Sequence, residues 1–184
     1  MLAGVAIGLR VLQFIFGVAV LGLSVTLVKA QVYGSAPTTT KYSTFTGGFG
    51  VFAAIVGAVG LFIEAIPDIA NMALDGLSSV LLLAGGIAWT VGFQGVQCKD
   101  NAGRDNVVKM IQNPLLNQGE DGEGRYGFWD YSKEDDENGN RLLSNCQKGF
   151  SDQILQFVAF GIGLALIGVG YVRMRRGGTT ASYV

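Results

Sequence analysis

The sequence predicts an all-α integral membrane protein, a left-handed bundle of four transmembrane helices with a long, disulfide-closed outer loop between the third and fourth. Three observations carry this: composition, four uncharged runs, and polar residues recurring at helical steps. Of 184 residues, 49% are hydrophobic, 15% are charged and 28 are glycine, and mean hydropathy is +0.40. Soluble chains average about 25% charged residues and about 7% glycine, so both values point to lipid. Thirteen basic and fourteen acidic residues leave no basic footprint, and nucleic acid is not an expected partner. With no histidine, imidazole acid–base work and the common metal sites are excluded, and two cysteines cannot complete a zinc site. No catalytic residue, metal or cofactor is expected, and the chain is read as non-enzymatic.

The spans follow from the spacing of charges. Val11–Val28, Tyr42–Ile63, Gly76–Cys98 and Gln153–Val172 are each uncharged for about 18–23 residues, and a bilayer core needs about 20 helical residues. Helices are expected at about 5–29, 45–66, 69–97 and 150–173, with Pro67 breaking the chain between the second and third. The first run exceeds the apolar core of a signal peptide and is expected to be retained. Abundant glycine does not oppose helix here, because in lipid the backbone must satisfy its own hydrogen bonds. The runs do not alternate in polarity, which excludes a barrel.

Arg173, Arg175 and Arg176 directly follow the last run and serve as inner-leaflet basic anchors. By the positive-inside rule both termini are cytosolic, in a multi-pass protein of the cell membrane with a tail at 174–184. Outer loops then cover 30–44, with its solvated "SAPTTT", and 97–149, the long extracellular one. In the second, Tyr126, Phe128, Trp129 and Tyr131 adjoin the acidic Glu134–Glu137. These aromatics are expected to pack beneath the loop, the alternatives being the membrane interface or a partner. The acidic run lacks calcium-loop spacing and reads as a solvated face. Cys98 and Cys146 flank the loop on the oxidising side, where a bond would pin helix three to helix four; two unrelated buried thiols are the alternative.

Small and polar residues at steps of three and four form a seam. It includes Gly17 on helix one and Gly50, Ala53, Gly57 and Gly60 on helix two. Helix three adds Ser78 and Gly85; helix four adds Gln153, Gln156, Gly163 and Gly170. Steps averaging 3.5 favour left-handed packing, and small residues let helices approach closely in lipid. Arg10, Glu64 and Asp75 fall toward the cytosolic end of the same seam. A charge at that depth faces the bundle and has a partner, so a network is expected in which Arg10 pairs with Asp75 and Glu64 is a second acid. Fixing the packing is favoured over a proton relay, because a path needs polar groups through the whole depth and helices two to four carry no further charge toward their outer ends. Gly4, Gly8, Gly161 and Ala165 lie off the seam as candidate surfaces for self-association.

An arginine early in helix one ("GLRVLQF"), the pair Leu74–Asp75 early in helix three, Cys98 after it and "NCQKGF" before helix four resemble the MARVEL-domain tetraspan proteins, here as one domain over 1–184. Within them the chain looks like the fungal non-classical export protein family, although its second outer loop is longer than that family's. The first loop lacks the cysteine pair of claudin-like proteins, and the Cys-Cys-Gly motif of tetraspanins is absent. The resemblance implies a plasma-membrane scaffold of eisosome-like lipid microdomains. It also implies bound sphingolipid or sterol, homo-oligomers, contact with other plasma-membrane proteins, and links to sphingolipid sensing and unconventional secretion. The competing classes are an ion or proton channel or transporter, and an accessory subunit of a larger membrane enzyme or pump.

Overall fold

Apolar run length decides the long elements. The computed structural model describes residues 2–62, 67–99 and 103–175. It contains α1 (Leu2–Lys29), α2 (Thr38–Phe62), α3 (Asp68–Gly92), α4 (Arg104–Gln112) and α5 (Asp135–Arg175). Helices α1, α2, α3 and α5 are each long and apolar enough to cross a membrane. Among the described residues there is no strand, only an isolated bridge between Glu120 and Tyr126. Helix α1 packs on α2 and α5, and α3 packs on the same two, which closes a ring in the order α1–α2–α3–α5.

The helices are turned inside out relative to soluble ones. Val11, Ile15, Phe45, Phe52, Val80, Ile87, Ile154 and Leu164 are exposed, while Arg10, Gln13, Ser24, Ser43, Thr46, Asp75, Ser78 and Gln156 are buried. Lipid is as apolar as leucine, so large side chains gain nothing by turning inward. Close packing and internal hydrogen bonds decide which face does.

Two helix starts differ from expectation. Helix α2 begins at Thr38 rather than near residue 45, and the Ser/Thr-rich stretch read as solvated loop forms its first turns, with Thr40 and Ser43 buried. The Pro37 carbonyl accepts the Lys41 N–H at 3.1 Å, and the Thr44 hydroxyl finds its partner within the helix, the Thr40 carbonyl at 3.1 Å. Helix α5 begins at Asp135 rather than near 150, with Asp135, Asp136 and Glu137 in its first turn. Carboxylates there complement the helix dipole. The acidic run is thus a helix start, though an exposed one. Helix α3 ends at Gly92, short of residue 97.

The segment expected as one long loop is therefore a cap. The Cys98–Cys146 disulfide, with Cα atoms 5.4 Å apart, ties the chain beyond α3 to α5. Leu27, Trp89, Phe93, Met110, Leu116, Phe128 and Leu142 pack around it. Asn106 of α4 exchanges two 2.7 Å hydrogen bonds with the Gln97 backbone, and Asn113 donates to the Gly92 carbonyl at 2.8 Å. Gly119 has φ of +91° and lies against the Tyr33 carbonyl where any Cβ would collide, so only glycine suits this crossing. The aromatic patch divides: Phe128 is 2% exposed, Trp129 37% and Tyr131 76%.

Candidate functional site: two buried polar nodes

The first node joins α1 to α3. Arg10 and Gln13, one turn apart on α1, share a face. Arg10 donates through Nη1 and Nη2 to Asp75 Oδ1 and Oδ2 at 2.5 and 2.7 Å. It also donates to Gln13 Oε1 at 2.8 Å, and Gln13 Nε2 donates to Asp75 Oδ1 at 3.2 Å. The two charged side chains are 8% and 2% exposed. A planar fork on a carboxylate is the strongest common ion-pair geometry, and two desolvated charges tolerate burial only with such pairing. The guanidinium occupies the space where Gly57 of α2 would carry a Cβ. Glu64, expected as the second acid, lies outside the described residues.

The second node lies at the disulfide end and joins α2, α3 and α5. Trp89 Nε1 donates to Ser43 Oγ at 2.6 Å and to Asp152 Oδ2 at 2.8 Å. Gln156 Nε2 donates to the same two atoms at 2.8 and 2.9 Å. All four side chains are fully enclosed, and Gly85 leaves room for the Gln156 amide. This corrects the expectation that no ionisable side chain lies in the bundle toward that end. Bounding spans by charges made Asp152 a terminus, whereas it sits inside. The available signal was its spacing from Gln156, one turn on, together with Trp89 on the same stripe as Asp75. Gln153, assigned to the seam, lies beside it and donates to Thr90 at 2.7 Å. The buried α5 stripe runs Asp152, Gln156, Ala159, Gly163, Leu166.

Four apolar helices in a ring, closed across one end by a buried Arg–Asp pair and across the other by a disulfide cap, define the arrangement to be matched. The family model of the MARVEL membrane-associating domain matches residues 2–141. The chain belongs to the MARVEL family. No curated protein and no solved structure matches it.

In this MARVEL domain the small residues of the seam sit where helices meet, Gly17 against another backbone and most of the others making room for a neighbour's side chain. Gly17 lies against Val51 and Gly50, Gly60 against Asn71, Gly163 against Ser79 and Gly170 against Met72, while Ala53 and Ser78 are buried. Gly47, absent from the expected seam, makes a closer approach, its missing Cβ filled by the Leu21 backbone. Gly4, Gly8 and Gly161 have no neighbour within 4 Å of the Cβ position, and Ala165 is exposed. Of the arginines read as anchors, Arg173 reaches back to Asp68 at 3.9 Å. Arg175 lies over the Tyr171 ring at 5.2 Å, and Arg176 is outside the described residues. Among the described residues no three His, Cys, Asp or Glu side chains gather as a metal site.

Proposed function

We propose that this MARVEL domain is a non-enzymatic organiser of lipid microdomains in the plasma membrane, with cytosolic termini and the disulfide cap outside. In this reading it self-associates, holds sphingolipid or sterol, and works in eisosome-like regions linked to sphingolipid sensing and unconventional secretion. Other plasma-membrane proteins are its partners. The observation that carries the reading is the division of the polar interior. Leu82 and Val20, both enclosed, lie between the two nodes. Leu82 is seven positions from both Asp75 and Trp89, or about 10 Å along the helix in each direction. The other buried polar side chains there are neutral hydroxyls, Thr46, Ser78 and Ser79, and a stretch without charge among the described residues favours two packing locks over a continuous ion or proton path. The cysteine bond supports an oxidising side for the cap, and the Arg173–Arg175 end supports a cytosolic one.

The test is reconstitution into giant vesicles of sphingolipid, sterol and unsaturated phospholipid near their demixing point. The protein should concentrate in one phase and shift the demixing temperature, with proton and cation flux at the protein-free level. Uniform distribution with an unshifted demixing temperature would overturn the organiser reading. Flux lost on neutralising Arg10 or Asp75 would establish the transporter instead.

A further inference from the structure

At the Arg10 end, a cavity of about 30 Å³ opens among α1, α2, α3 and α5, with Arg10, Gly57, Asn71 and Asp75 in its wall together with the partly exposed Asp68 and Arg173 at its rim. Two enclosed polar atoms of this wall have no hydrogen-bond partner among the described residues: Nε of Arg10, a donor, and Oδ1 of Asn71, an acceptor. Their residues are 7% and 8% exposed. Unpaired buried polar groups are costly, and the residues carrying this donor and this acceptor line the same small cavity, where both have a matching guest. A water molecule needs roughly 10–15 Å³ of such space and two to four polar partners. A headgroup or organic ligand would not fit.

We propose that this cavity is a built water site, in which one long-lived water accepts from Arg10 Nε–H and donates to Asn71 Oδ1, with the Asp68–Arg173 pair as its rim. The water gives Nε a partner: Nη1 is committed to Asp75 and Gln13, and Nη2 to Asp75. The buried ion pair is thus a three-part device of Arg10, Asp75 and a water presented by Asn71. Asn71 is a positioning residue for it. This assignment does not depend on the proposed function and would hold equally for an organiser or a channel.

The experiment is water-to-amide magnetisation transfer on the full chain, ¹⁵N-arginine labelled, in lipid nanodiscs, with the side-chain Nε–H assigned through the Arg10 backbone. Arg10 Hε should show a cross-peak to a long-lived water. Asn71→Leu, which removes the acceptor and fills the cavity, should abolish it. Asn71→Ser, which keeps an acceptor, should retain it. No water cross-peak in the wild-type protein overturns the site, as does an unchanged one in a folded Asn71→Leu variant. If Asn71→Leu does not fold, the wild-type and Asn71→Ser spectra decide the question alone.

Discussion

Asp75 and Asp152 are both acids buried inside the bundle, and their surroundings set opposite expectations. Asp75 accepts both arms of Arg10; Asp152 has no cationic side chain in ion-pair range among the described residues and accepts from Trp89 and Gln156. Removing one partner of a buried pair leaves an uncompensated charge, at a cost of about 3–5 kcal/mol, whereas replacing both with apolar groups can be neutral. Asp75→Asn and Arg10→Met should each lower stability by about that amount in detergent unfolding, and Arg10→Met/Asp75→Leu should recover most of it. Additive losses in the double variant would show that the pair is not coupled. Asp152→Asn breaks no ion pair and should change stability by less than about 1 kcal/mol, the scale of a neutral hydrogen bond. Glycines divide in the same way. Gly47→Ala must push against the Leu21 backbone, whereas nothing lies near the Gly22 position. Overpacking of this kind costs about 1–3 kcal/mol, so melting should show a clear loss for Gly47→Ala and almost none for Gly22→Ala.

At the scale of the elements, the spans were legible because a bilayer imposes a length, and charges flanking an apolar run mark it. The same rule hid what lay at the run's edge. Asp152 was spent as a boundary, and the Ser/Thr turns before Tyr42 were read by composition although they start α2. The Arg10 end was readable because few charges fall on the seam there. Its Gln13 relay needed only a one-turn step. The cap was not readable, because α4 is short and its fixing contacts, Asn106 to Gln97 and Asn113 to Gly92, depend on long-range placement. The disulfide closes a separation of 48 residues, worth about 4 kcal/mol in the chain-entropy model. Cys98→Ser/Cys146→Ser should lower stability by about that much while leaving the Arg10–Asp75 coupling energy unchanged. Loss of both would mean that the cap and the inner node form one cooperative unit. The approach to α5 has a pH signature. The Asp130 carboxyl is held below the usual carboxylate range by the Ser132 hydroxyl and N–H. Its contribution is therefore complete above the unfolded carboxylate's pKa and is lost as pH falls through the lowered folded value. Hydrogen exchange should show the Ser132 amide protected near neutrality and losing protection only at strongly acidic pH; loss already near pH 5 would contradict this.

For the whole molecule, the decisive question is what the fourth span contributes. The family match ends at residue 141, before the apolar part of α5, yet α5 packs on both α1 and α3 and supplies Asp152 and Gln156 to the second node. Without it, Trp89 would lose its Asp152 acceptor and Ser43 its Gln156 donor, and the α3 face carrying Ser79 and Gly86 would open to lipid where Gly163 and Phe157 now pack. Buried polar groups left without partners in hydrocarbon are expensive, so three spans should not form a stable remnant of the ring. Residues 1–133 expressed alone should aggregate or be degraded. Co-expression with 134–184 should restore a monodisperse species, because the division falls in an exposed segment before α5 and the Cys98–Cys146 bond can rejoin the pieces. On a non-reducing gel the pair should migrate as one linked band and separate on reduction. If 1–133 proves monodisperse and melts like the intact chain, the ring is not the unit of stability and the packing account built on two nodes fails with it.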